Sequence, residues 1–322
     1  MFFPSGRQLT LTKGATRVVV AQVGATLRLF EVAGRSIIWG FGENEMCSGG
    51  RGQVLAPWPN RLEDGRYEFA GIKCVAALDD HGRQCAIHGL VRWIPWEIQE
   101  LSVTSVQLGC MLAPQPGYPF SLNLEVTYTL DDEGLAVQFA AYNGSSNLVP
   151  FGIGFHPYLA AGAGGIDAAH LQIPASRRLL LNARGLPYGS EPVAGSPYDL
   201  RSGSGSRRNK QNPLNQTLQG LRLSDCFTDL SFDDDGKWRV FFEPDDLPGS
   251  PVVVWADDSF GYIMCFTGDT FEGDLQRCAV AIEPMTCPPN ALRTGESLLL
   301  LRPGERVTGS WGIKFPGKER RR

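Results

Sequence analysis

The chain has 322 residues, 43% of them hydrophobic and 20% charged, which supports a sizeable core and excludes disorder of the whole chain. Its formal net charge of −4 and pI near 5.7 supply no basic field for a phosphate backbone, so no nucleic-acid partner is expected. No window approaches the run of about 18 apolar residues that a membrane helix needs, and MFFPSGRQLTLTKG lacks the layout of a signal peptide; a cytoplasmic protein with no membrane partner is expected.

In chain order, the first clear pattern is TRVVVAQVGATLRLFEVAG (16–34), two runs of β-branched and alternating apolar residues around a glycine turn. APWPNRLEDGRYEFAG (56–71) follows. Its prolines fix an extended approach and Asn60 suits a turn, so Arg61 emerges from a stiff segment, as a functional group or a surface cation. In AIHGLVRWIPWEI (86–98), His88 precedes a glycine and stands near Arg92, Trp93 and Trp96. Aromatic faces beside polar groups suit a sugar, although each tryptophan alone reads more readily as core.

SLNLEVTYTLDDEGLAVQFAAYN (121–143) predicts two more strands, and FGIGFHPYL (151–159) then sets His156 before a proline. The proline places His156 at a strand end or kink, and local chemistry leaves catalysis and packing both open. The segment 183–219, containing RSGSGSRRNKQNP, predicts a long mobile surface loop within one domain spanning 1–322. Strand patterns resume in KWRVFFEPDD, PVVVWADDS, GYIMCFTGD and LLLLRPGERVTGSWGI. Between the last two, AVAIEPMTCPPNALRTGE (279–296) sets Glu283 at the end of an apolar run. An apolar setting would disfavour the carboxylate and raise its pKa toward the range of a general base, whereas a glutamate at a strand end is more often simply solvated.

These patterns, with 38 glycines and 22 prolines, predict an all-β fold, a large antiparallel β-sandwich. The eight cysteines show no C-x-x-C pair and are expected as reduced thiols. No metal is expected, because H-x-H and H-E-x-x-H spacings are absent. No cofactor is expected either, since GAGG (162–165) is not a dinucleotide fingerprint and no P-loop occurs. The terminal KERRR reads as a solvated tail.

The motifs PWPNRLEDGRYEFAG, IHGLVRW, GFHPYL and IEPMTCPPNALRTGE, in this order, make the chain from about residue 20 to 315 similar to the aldose 1-epimerase (galactose mutarotase) family. That resemblance implies a β-supersandwich that interconverts the anomers of an aldose without metal or cofactor. It further implies Glu283 as general base, His156 as general acid, and Arg61 and His88 as residues that bind and orient the sugar. The family's D-x-x-F motif departs here: in LRLSDCFTDL (221–230), Ser224 stands at the aspartate's place, and Asp225, the candidate hydroxyl-binding carboxylate, comes one residue late. Such a shift turns a strand residue to the opposite face unless a bulge restores it. Two alternatives accompany the aldose reading: a hexose-6-phosphate 1-epimerase, with Arg92 or Arg293 as phosphate ligands, and a sugar-binding protein without catalysis. The expected partner is a monosaccharide, and the assembly a monomer or homodimer.

Overall fold

Strand Leu122–Leu130 shows how the alternation in the sequence becomes a sheet. In this computed structural model, which describes residues 3–201 and 217–315, Leu122, Leu124, Val126, Tyr128 and Leu130 are buried while the residues between them face outward. The strand is central to an eight-stranded antiparallel sheet ordered Glu97–Leu101, Ser105–Leu112, Leu122–Leu130, Gly134–Tyr142, Arg306–Lys314, Val252–Ala256, Trp238–Glu243, His170–Gln172. The register sets Val126 opposite Phe139 and Val137 opposite Trp311, so one face is continuously apolar.

A second sheet runs Pro187–Pro192, Ala175–Leu181, Ser224–Leu230, Tyr262–Phe266, Ala279–Met285, Gly154–Phe155, Val54–Leu55, with Tyr158–Ala160 also on Ala279–Met285. Its inward residues Phe227, Ile263, Val280 and Ile282 join Val126, Val137 and Trp311 in one hydrophobic core. Each such side chain contributes roughly 1.5–3 kcal/mol by leaving water. An antiparallel sheet of Gln8–Lys13, Thr16–Ala21, Thr26–Val32 and Arg35–Ser36 adds to the same core through Val18, Val20, Leu27 and Phe30. Among the described residues the only α-helix is Ala291–Thr294, of 4 residues. The expected all-β antiparallel sandwich is the fold observed.

The segment 183–219 differs from the expectation of a loop. Residues Pro187–Pro192 form a strand on Ala175–Leu181, at the outer edge of the second sheet. Its prolines are tolerated there because an edge strand has no second neighbour to receive its N–H groups. Residues 202–216 of that segment, and the basic terminal cluster, lie outside the described residues. All eight cysteines are free thiols.

Candidate active site

Strand Ala279–Met285 is buried on both faces. Val280 and Ile282 point into the main core, so Glu283 must point the other way, with Met264 as its registered neighbour. Across from it, the pairs Gly154↔Met285 and Tyr158↔Ala281 share one register, which sets His156 opposite Glu283 in the gap that Pro157 leaves in the ladder. The result is a contact of 3.4 Å between His156 Nε2 and Glu283 Oε1, with both side chains buried. His156 thus lies between two short strands, as the proline predicts.

The backbone holds this histidine from both sides: its N–H donates to the Gln53 carbonyl at 3.2 Å and its carbonyl accepts from Gly52 at 2.8 Å. Its ring stacks on Tyr158, two residues along the same face, at 5.0 Å. Gly50, at φ +75°, also approaches the ring, and a Cβ there would come within 2.6 Å of His156 Cδ2. Only glycine fits that conformation and that approach together.

Burial sets the charge state of the pair. It pushes the Glu283 carboxyl up to about 8 and the His156 imidazole down to about 3. At neutral pH the pair therefore carries one proton, held on Glu283.

The two polar residues expected nearby come in on one wall. His88 and Asn60, both with positive φ, exchange bonds: His88 N–H donates to the Asn60 carbonyl at 2.9 Å, and Asn60 N–H donates to His88 Nδ1 at 3.2 Å. An imidazole that accepts at Nδ1 carries its proton on Nε2, so His88 offers the cavity a donor. Burial, reinforced by His156, holds its pKa well below the ordinary value and keeps it neutral. The two histidine rings stand edge to face, 5.3 Å apart. Arg61 donates through Nε to Asp80 at 2.8 Å, and its carbonyl accepts from Asn290 N–H at 2.7 Å, which ties the cavity wall to the segment after Glu283.

These groups face a cavity of about 560 Å³, within the ordinary size of a small-molecule site. His156, Glu283, His88 and Arg61 converge on it, as does Arg92, paired with Asp79. Asp225 also lines it, but on different terms. Its strand pairs with Tyr262–Phe266 without a bulge, setting Asp225 opposite Cys265 and Ser224 opposite Phe266. Ser224 therefore shares the face of Glu283, while the Asp225 carboxylate turns to Arg178. Asp229 is bound up outside the cavity, 3.9 Å from Arg177.

Two expectations need revising. The aromatic faces in the cavity are Tyr158, Phe266 and Phe271, rather than Trp93 and Trp96. Trp96 is core, its indole N–H donating to the Val91 carbonyl, and Trp93 is 45% exposed beside Arg92. Arg293 does not reach the cavity, because the short helix turns it toward Glu63 at 3.3 Å. Sequence reasoning also missed Asp80, Tyr158 and Gly50. Tyr158, two residues beyond His156 on an extended segment, was accessible from the period of a strand; Asp80 and Gly50 have no local signal. Among the described residues no three His, Cys, Asp or Glu side chains cluster as a metal would require, and no helix is long and apolar enough to cross a membrane.

A model of the family described as aldose 1-epimerase matches residues 7–314. The uncharacterized protein YihR of Escherichia coli strain K12 is 31% identical over 303 residues, covering 94% of this chain and 91% of its own. The galactose mutarotase of Homo sapiens is 29% identical over 343 residues, covering 97% and 96%. Among solved structures, the GalM/aldose epimerase homologue from C. elegans superposes with a TM-score of 0.82 at 18% identity, covering 97% of this chain and 99% of its own, a likeness of fold. The class defined is an isomerase that works on sugars. The chain belongs to the aldose 1-epimerase family.

Proposed function

We propose that this enzyme interconverts the α and β anomers of a hexose, opening and reclosing the pyranose ring with Glu283 and His156 as the groups that exchange protons with it. The observation that carries this reading is the buried 3.4 Å contact between His156 and Glu283 on the floor of the cavity. Ring opening removes a proton from the anomeric hydroxyl, breaks the bond from C1 to the ring oxygen, and delivers a proton to that oxygen. The reaction therefore needs one group that accepts and one that donates at the same moment, and a pair sharing a single proton is both.

The resting pair holds that proton on Glu283. Moving it to His156 changes no net charge and yields a carboxylate beside an imidazolium. From that form Glu283 takes the hydroxyl proton and His156 protonates the ring oxygen. Rotation about C1–C2 in the open aldehyde, then closure on the other face, returns both protons. The Nε2–H of His88 and the guanidinium of Arg61 stabilise the charge that develops on the sugar oxygens. Positioned acid–base groups supply roughly 10²–10⁴ in rate each, sufficient for a reaction that also proceeds unaided in water. The name galactose mutarotase on the human relative supports the same chemistry.

Magnetisation-exchange NMR on glucose and galactose tests the reading. Wild-type protein speeds anomer exchange well above buffer, and Glu283→Gln returns it close to the buffer rate. Binding of sugar with no acceleration by the wild type would instead identify a sugar-binding protein on the same fold.

A further inference from the structure

The segment from Ser48 to Gln53 supports His156 at four points. Gly52 N–H donates to the His156 carbonyl at 2.8 Å, and the Gln53 carbonyl accepts from His156 N–H at 3.2 Å. The Gly49 carbonyl accepts from the hydroxyl of Tyr158, whose ring stacks on the imidazole. Gly50 leaves no room for a Cβ beside His156 Cδ2. Yet Gly49, Gly50 and Gly52 all take positive φ, and a segment so rich in glycine has much backbone freedom to lose on folding. Something outside its own backbone has to hold it.

Arg51, buried in the middle of this segment, is placed to do so. Its Nε donates to the Ser48 carbonyl at 3.1 Å and its Nη2 to the Ser48 hydroxyl at 2.8 Å, so two nitrogens fold the side chain back onto the start of its own turn. Its Nη1 donates to the Gly40 carbonyl at 2.7 Å, and the guanidinium lies over the Trp39 ring, 4.4 Å from the centroid. These partners are carbonyl and hydroxyl oxygens and an aromatic face, so the arginine binds a backbone shape rather than a countercharge. Trp39 closes the circuit: its N–H donates to the Tyr158 carbonyl at 2.8 Å, and its ring meets that of Tyr158 edge to face at 5.5 Å. Arg51 thus ties the glycine turn to the same tyrosine that stacks on His156.

We propose that Arg51 is a positioning residue for His156: its guanidinium fork closes the Ser48–Gln53 turn and so keeps the imidazole in place against Glu283. The kinetic consequence rests on the anomerase reading above; the geometric one does not. Arg51 does not line the cavity, and it acts through the turn. The groups that face the imidazole are Glu283 at 3.4 Å, His88 at 5.3 Å and the stacked Tyr158, with Arg92 bearing on its charge. Loss of Arg51 leaves all four present and changes only where the imidazole sits. Displacing a catalytic group by about 1 Å costs up to roughly 10²-fold in rate.

The test compares wild type with Arg51→Met, Arg51→Lys and Ser48→Ala by anomer-exchange kinetics on glucose and galactose and by NMR titration of the histidine ring signals. The chain has four histidines, and the signal absent from His156→Asn identifies His156. In wild type that signal stays unshifted down to about pH 4, because burial holds its value at about 3; in Arg51→Met the loosened ring admits water and titrates closer to 6.5. In the same variant kcat falls by roughly 10- to 100-fold, while KM stays within about two-fold because Arg61 and His88 are untouched. Arg51→Lys keeps the charge but not the fork and recovers only part of the loss; full recovery would assign the effect to charge and overturn the clamp. Ser48→Ala, at an exposed position, deletes one hydrogen bond, keeps the fold and moves both readouts in the same direction by about two- to three-fold, so it decides the matter if Arg51→Met does not fold. An unmoved His156 signal and wild-type kcat in the folded variants, whatever their melting temperatures, reduce Arg51 to packing and overturn the inference. If wild type accelerates no sugar, the anomerase reading fails, and the His156 signal decides the clamp by itself.

Discussion

Two strands at the centres of their sheets are built on opposite terms. Leu122–Leu130 has one apolar face and one polar face, and its one buried polar group, the Tyr128 hydroxyl, donates to the Ala25 carbonyl at 2.6 Å. Ala279–Met285 is buried throughout, so its one ionisable residue, Glu283, has no solvent to turn to. The first strand satisfies packing alone; the second holds a desolvated carboxyl beside a desolvated imidazole, where the proposed proton exchange would take place. The difference between them yields measurements that separate a residue held for packing from one held for reactivity.

The largest effect falls on Glu283. Beyond the loss of turnover in Glu283→Gln, the substitution alters how stability depends on pH. The folded protein keeps on Glu283 a proton that the unfolded chain releases above its ordinary value of 4.5, up to about 8. The native state is therefore progressively disfavoured as pH rises across that window, by on the order of a few kcal/mol at its upper end. Glu283→Gln removes this cost, so its melting temperature exceeds that of the wild type at pH 8 by several degrees, and the gain fades toward pH 4.5. Equal or lower melting at pH 8 would show that the carboxyl is not held against its preference. His156 acts in the other direction: its value is pushed to about 3 from 6.5, so it disfavours the native state as pH falls through that range. Activity, which needs one proton on the pair, declines as pH rises through about 8 and as it falls toward about 3, both values belonging to the pair.

The opposite pattern is expected at Leu124, 2% exposed in the large sheet. Leu124→Ala costs about 2–5 kcal/mol in urea unfolding through lost burial and a residual cavity. Its kcat/KM, measured well below the melting transition, stays within two-fold of wild type. A large kinetic effect without loss of stability would mean that the two sheets are coupled in function as well as in the core.

The same contrast explains what could be read in advance. Alternation in LNLEVTYTL reports a half-exposed strand directly, because water enforces it residue by residue. AVAIEPM, apolar on both faces, is a buried run whose two faces no periodicity distinguishes, and Glu283 became legible through motif order instead. The Pro187–Pro192 strand was hidden because its prolines and its Gly-Ser centre are turn residues by composition, permitted in a strand only at the sheet's edge. The ion pair of Arg61 with Asp80 spans 19 residues and arises from a short turn at His81–Arg83, a geometry no spacing rule encodes. The position of Ser224 on the active face was foreseeable in principle from strand period, and needed only a ladder free of bulges to be read off.

The smallest expected effect lies at Tyr158, which belongs to both descriptions. It stacks on His156 at 5.0 Å, and its hydroxyl donates to the Gly49 carbonyl at 3.0 Å, fixing the turn whose next residue, Gly50, presses on the histidine ring. Tyr158→Phe keeps the ring and deletes only that hydrogen bond. The loss of stability is then about 1 kcal/mol, and kcat falls only a few-fold, through a looser His156 rather than a missing group. The readout that separates this positioning role from packing is the pH profile. A histidine no longer pressed by Gly50 admits more solvent, its value rises from about 3 toward 6.5, and the acid limb of the activity profile moves up with it. A variant slower by the same factor at every pH would reduce Tyr158 to filler between His156 and Phe271.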